Sequence, residues 1–126
     1  MFTHVIGTSY RTDAGTVINV SENVVGTNQG VDIDAVIGPD VTNSYSVFID
    51  PAKCQSCMLC SDQPTTIKTN DPNTPQHTID MHANVPIVWS LNSFWPIPFG
   101  PDNVNAMYIT NNGAVSANVK IRVLSN

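Results

Sequence analysis

From residue 115 to residue 123 apolar and polar side chains alternate without a break: Val115, Ala117, Val119, Ile121 and Val123 are separated by Ser116, Asn118, Lys120 and Arg122. A period of two is the signature of a β-strand with one dry face and one wet face. A second extended run covers residues 104–110, and between the two lies Asn111-Asn112-Gly113, whose residues tolerate positive φ in a tight turn. The spacing predicts a closing β-hairpin with five inward apolar positions. It is expected to form a central strand pair, so the fold is completed only by the last residues of the chain.

Composition extends this reading to the whole sequence. There are 15 Val and 11 Ile against 3 Leu and 1 Glu in 126 residues, so the residues that suit a pleated sheet abound and the strong helix formers are scarce. Strand candidates recur at residues 2–10, 16–25, 31–37, 45–49, 54–60, 65–69, 78–83 and 87–91, ahead of the final pair. Turn chemistry separates them at Asp13-Ala14-Gly15, Gly38-Pro39-Asp40, Asp50-Pro51, residues 70–75 and residues 100–103. Short strands at this spacing predict an all-β fold: a jelly-roll-like antiparallel β-sandwich forming a single domain over residues 1–126. Residues 1–15 are expected to be an arm or the first strand. The length suffices for a core that needs neither metal nor disulfide.

Charge narrows the range of partners. Only 12% of residues are charged, the net charge is −5, and the five cations Arg11, Lys53, Lys68, Lys120 and Arg122 never cluster. The basic footprint that phosphate binding requires is missing, so neither nucleic acid nor an anionic membrane is expected as a partner. The opening Met1-Phe2-Thr3-His4 has no basic or apolar signal region, and nowhere do 18 apolar residues run together. The expectation is a soluble protein not exported by the usual signal.

Few residues suggest chemistry. Cys54, Cys57 and Cys60 have the C-x2-C-x2-C spacing that opens an iron–sulfur motif, but position 64, where a fourth thiolate would stand, is Pro64. On a strand, Cys54 and Cys60 would share a face with Met58 while Cys57 pointed the other way, so the three could not converge on one ion. Free thiols are expected, and no metal. Asp80 and His82 are two apart on an outer face, and Asp32 and Asp34 likewise, which reads as surface decoration and as edge charge against wrong strand pairing. No G-x-S-x-G, phosphate-cradling glycine loop or H-E-x-x-H occurs, so no catalytic residue, no cofactor and no enzyme activity are expected.

One segment resists a purely internal explanation. Phe94, Trp95, Pro96, Ile97, Pro98, Phe99, Gly100 and Pro101 combine three prolines that block ladder hydrogen bonds with four large apolar side chains. Such a loop folds back over the end of the sandwich, is covered by another chain, or stacks its aromatic rings on a sugar. Proline stiffness lowers the entropy lost on docking, which makes Phe94, Trp95, Pro96, Ile97, Pro98, Phe99 and Pro101 the candidate interface.

Several runs carry a resemblance: Ser61-Asp62-Gln63, residues 65–70, Asn84-Val85-Pro86-Ile87-Val88-Trp89, Met107-Tyr108-Ile109-Thr110-Asn111 and Ile121-Arg122-Val123-Leu124. Together they resemble small virion proteins of tailed bacteriophages, the jelly-roll capsid decoration or cement proteins. The likeness spans roughly residues 45 to 126; the first 44 match in Phe2-Thr3-His4 and in their strand-like character. It implies a structural protein on the outer capsid surface of a virion, made in the bacterial cytoplasm, partnered by the phage major capsid protein and assembled as a homo-oligomer, a trimer by preference. On this likeness the cysteines occupy an ordinary strand, and residues 94–101 depart from the family pattern. The alternative expectation is a glycan-binding module of a phage tail or fibre, with Trp89, Trp95 or Tyr108 as the stacking platform.

Overall fold

The computed structural model of the protein describes residues 1–15 and 17–126. Ten strands follow one another: β1 (Phe2–Arg11), β2 (Val17–Gly26), β3 (Asn28–Ile37), β4 (Thr42–Ile49), β5 (Cys54–Ser61), β6 (Thr65–Thr69), β7 (Thr78–Met81), β8 (Ile87–Ser90), β9 (Val104–Asn111) and β10 (Ala117–Ser125). The strand expectations hold in order and nearly in extent; Thr16, the expected start of the second strand, lies outside the described residues. Among the described residues the one helical turn, Pro51–Lys53, is a 3-10 turn opened by Asp50, whose Oδ1 accepts a hydrogen bond from the Ala52 amide at 3.0 Å.

Two antiparallel four-stranded sheets form the sandwich, in the orders β3-β10-β5-β8 and β4-β9-β6-β7. From β3 onward every connection passes from one sheet to the other except β6 to β7, which is the jelly-roll arrangement of eight strands. Between the sheets lies one core that includes Ile37, Ile49, Leu59, Ile67, Val104, Met107, Ile109, Val119, Ile121 and Val123.

The closing hairpin does not form. β9 and β10 each occupy a central place, but in opposite sheets, and they face one another across the core. Residues 112–116 therefore carry the chain over the end of the sandwich instead of turning it back within a sheet. The reason is visible at Asn111, which is fully buried: its Nδ2 donates to the carbonyls of Ile37 at 2.9 Å and Val115 at 2.7 Å, and its Oδ1 accepts from the Gly113 amide at 2.8 Å. Gly113 has no positive φ; a Cβ there would press on the Gln63 side chain, which would have to swing aside. Val115 consequently stays exposed, and the inward row begins at Ala117.

β1 and β2 stand apart as a two-stranded ribbon of ten paired positions, Phe2 opposite Gly26 and Arg11 opposite Val17. The Asp13-Ala14-Gly15 turn at its tip uses a positive φ of 87° at Gly15, as the turn chemistry predicts. The N-terminal segment is thus the first strand of a hairpin arm.

Candidate interaction surface

The connections sort to the two ends of the sandwich. One end gathers residues 38–41, 62–64, 82–86 and 112–116, tied by amide-to-carbonyl bonds from Asp40 to Asn111 (3.0 Å), Asn112 to Pro64 (2.8 Å) and Asn84 to Ser61 (2.8 Å). The other gathers the turn at 50–53, the β6–β7 loop, the long β8–β9 loop that holds residues 94–101, the root of the arm and the final residue. There the Asn126 amide donates to Lys53 O at 2.9 Å, the Thr27 amide to Asn126 Oδ1 at 3.3 Å and Asn70 Nδ2 to Asn103 O at 2.9 Å. Asn70 reaches this position with a φ of 68°, a conformation its short polar side chain tolerates. Arm and aromatic loop thus share one end of the molecule.

The loop divides its apolar residues between two roles. Phe99 is 0% exposed and fills the core, with Ile97 packed partly against it, so Phe99 is a structural plug and offers no surface to a partner. Phe94 and Trp95 instead project, 94% and 66% exposed, with ring centroids 5.7 Å apart in an edge-to-face contact of 86°. Pro96 and Pro101 are exposed and Pro98 is half-buried.

This outward pair is held from beneath. Trp89 Nε1 donates to Trp95 O at 3.0 Å, the Gly100 amide donates to Ile97 O at 3.3 Å, and a Cβ at Gly100 would stand 2.8 Å from Ile97 Cγ2. Two rings thus stand on a pinned backbone, and docking would freeze little beyond their own rotamers. Trp89 itself belongs to the core, while Tyr108 lies half-buried on β9 of the other sheet, so Trp89, Trp95 and Tyr108 do not assemble into one platform.

The arm crosses the outer face of the β3-β10-β5-β8 sheet. Gly26 rests on β10, where a Cβ would meet Ser125 O at 2.7 Å and Leu124 Cγ at 2.8 Å, which is why the root is glycine. Leu124 is fully buried although it lies outside the core cluster, because the arm root covers it. Farther along, His4 Nδ1 and Ser56 Oγ of β5 are hydrogen-bonded at 3.2 Å. At the β8 edge the Glu22 carboxylate accepts from Ser90 Oγ at 3.2 and 3.0 Å and from Asn92 Nδ2 at 2.6 Å. An open cleft of about 520 Å³ remains under the arm, lined among others by His4, Ile6, Ser56, Met58, Val88 and Arg122.

The residues weighed for chemistry are spread over the molecule. Asp32 and Asp34, on edge strand β3, both contact Arg122 of β10: its Nε lies 2.9 Å from Asp32 Oδ1 and its Nη2 2.9 Å from Asp34 Oδ2. The carboxylates therefore fasten an edge strand as well as charging it. Asp80 accepts a hydrogen bond from Thr66 Oγ1 at 2.8 Å, and His82 is exposed just past β7. Among the described residues no three His, Cys, Asp or Glu side chains gather closely enough to hold a metal ion.

The cysteines depart from simple alternation. The β5–β10 register slips between Leu124 and Ser125, so that Ser56 pairs with Leu124 but Cys54 with Ser125. This irregularity brings Cys54 to the same side as Cys57, and both lie in the core, whereas Cys60 is half-exposed on the outer face. Cys54 therefore shares its face with Cys57, not with Cys60. Burial raises the Cys57 thiol to about 12 and, with the nearby Asp50 charge, the Cys54 thiol to about 11. Both exceed the ordinary value of 9.0, so the neutral thiols stabilise the fold fully below about pH 9 and that contribution is lost as pH rises through 11 and 12. Alkylation of the native protein at pH 8 is expected to mark Cys60 alone, with Cys54 and Cys57 reacting only after denaturation; intact-mass analysis counts the adducts.

Comparison with protein-family models, with curated proteins and with solved structures returned no match. The class is therefore defined by the architecture: a jelly-roll β-sandwich with an N-terminal hairpin arm and an aromatic loop raised at one end.

Proposed function

We propose that this chain is a structural virion protein of a bacteriophage, seated on the outer capsid surface through contacts with the major capsid protein and with its own copies. The observation that carries the reading is the division of the 94–101 loop: Phe99 locks it into the core while Phe94 and Trp95 are held outward on a pinned backbone. Rigid, exposed aromatic side chains are the usual anchors of a protein interface. The jelly roll supplies the stiff support, and the sequence resemblance supplies the setting. Sparse charge leaves few long Lys or Glu side chains to immobilise when neighbouring surfaces close.

Purified chain mixed with shells of its phage that lack it is expected to co-sediment with them to a saturating, stoichiometric level. Trp95→Ala and Phe94→Ala should each weaken that binding by tenfold or more, a loss of about 1.4 kcal/mol or greater, as expected of interface anchors. Tryptophan fluorescence that responds to sugars, with no sedimentation on shells, would replace this reading with the glycan-binding one.

A further inference from the structure

Phe94 stands between two backbone anchors. On its C-terminal side the Trp95 carbonyl accepts from Trp89 Nε1 at 3.0 Å, and Trp89 belongs to the core. On its N-terminal side lies a turn at residues 90–93, closed by the Ser93 amide on Ser90 O at 2.9 Å and the Ser90 amide on Ser93 Oγ at 2.8 Å. The Leu91 amide holds the start of this turn to Gln55 O at 3.0 Å. Its far half is fastened by the arm. Asn92 Nδ2 donates to Glu22 Oε1 at 2.6 Å, and the 3% exposed Ser90 donates from Oγ to both Glu22 oxygens while accepting from the Asn92 amide at 3.3 Å. Hydrogen bonds to an ionised acceptor are roughly twice as strong as neutral ones. Among the described residues, the hydrogen bond that ties Asn92 or Ser93 to anything outside the turn is the one to Glu22.

Glu22 is also where the arm's own seat ends. Even-numbered residues of β1 and β2 pair with one another and share one side of the ribbon. Near the root that side is seated, with Gly26 on β10, Val24 buried and His4 bonded to Ser56 of β5. The Ile6–Glu22 pair meets edge strand β8, and beyond it Tyr10, Ile18 and Val20 overhang the sheet, 63%, 54% and 58% exposed. We propose that the arm positions the aromatic pair: Glu22 is a positioning residue, and seating of the arm and ordering of Phe94 and Trp95 form one coupled equilibrium. With the arm down, Asn92 and the Trp95 carbonyl are both fixed and Phe94 is bracketed. With the arm lifted, Ser90 Oγ and Asn92 Nδ2 turn to water and Phe94 keeps one anchor. Such coupling is reciprocal, so whatever grips the aromatic pair favours the seated arm by the factor that the seated arm favours it. As control of a contact site, the inference rests on the reading of Phe94 and Trp95 as that contact; the coupling itself is a property of the free chain.

Backbone nitrogen relaxation reads the loop and amide hydrogen exchange reads the arm, both on the free chain. Glu22→Ala is expected to lower the order parameters of Phe94 and Trp95 from the rigid value of about 0.85 to below about 0.6. Asn92→Asp, made in the loop, sets a second carboxylate against Glu22. It should speed exchange across β1 and β2 tenfold or more, because a two-stranded ribbon off its seat is marginal in water. Combining Glu22→Gln with Asn92→Asp reverses donor and acceptor, and should return both readings toward wild type; general loosening of the fold would give no such rescue. Order at Phe94 and Trp95 that survives Glu22→Ala overturns the proposal. So does arm exchange unchanged by Asn92→Asp, or a combined variant no better than Asn92→Asp alone. Shell binding is scored apart: a wild type that never sediments with shells counts against the proposed function, whereas an unmoved loop counts against the coupling.

Discussion

Phe99→Ala is expected to destabilise the protein by about 3–5 kcal/mol, the range for deleting a fully buried aromatic side chain and leaving a cavity. Phe99 is the largest side chain sealed in the core, and it is the one that draws the 94–101 loop down onto the sandwich. For a domain of this size the loss corresponds to a fall in Tm on the order of 10–20 °C. Its neighbours should behave in the opposite way. Phe94→Ala and Trp95→Ala remove rings that face water, so their stability should stay within about 0.5 kcal/mol of the parent. Urea titration of the three variants checks the contrast, and a large loss at Phe94 or Trp95 would mean that the loop folds inward as a whole.

Asn111 should be nearly as intolerant. Asn111→Ala removes three hydrogen bonds at a site closed to water and leaves two carbonyls and an amide without their partners, for a loss of about 2–4 kcal/mol. Asn111→Asp gives a sharper test, because it keeps the shape but turns the donor into an acceptor facing the Ile37 and Val115 carbonyls. Burial and those carbonyls would raise the new carboxyl above its unfolded value of about 3.9. The variant's extra stabilisation is then present below that value and lost as pH rises through the folded one. Unfolding free energies measured at pH 4 and pH 7, each referred to Asn111→Ala at the same pH, should show Asn111→Asp favoured at the lower pH.

These two positions also show where sequence was informative. The strand series was readable because β-branched residues alternate and Gly, Pro, Asn and Asp punctuate them, which are local signals. Asn111-Asn112-Gly113 misled because hairpin turns and sheet-to-sheet crossings use the same residue types. What separates them here is the distant Ile37 carbonyl that Asn111 reaches. Strict alternation puts Cys54 on the wrong face for a related reason: the register slip opposite Ser125 depends on a strand far along the chain. The aromatic loop was visible from its proline and ring content, but only packing divides Phe99 from Phe94 and Trp95. In the arm, the even-numbered face was written in the sequence at Ile6, Ile18, Val20 and Val24. Its split into seated and overhanging halves was not, since that follows from where the sheet ends.

A reconstruction of the phage particle proposed to carry this chain would give location, copy number and contacts together. The proposal predicts a jelly roll in fixed ratio to the major capsid protein on the outer surface, with Phe94 and Trp95 in contact with a neighbouring subunit. Finding the chain absent from purified particles, or present as a few copies at a tail tip with those rings in solvent, would contradict it.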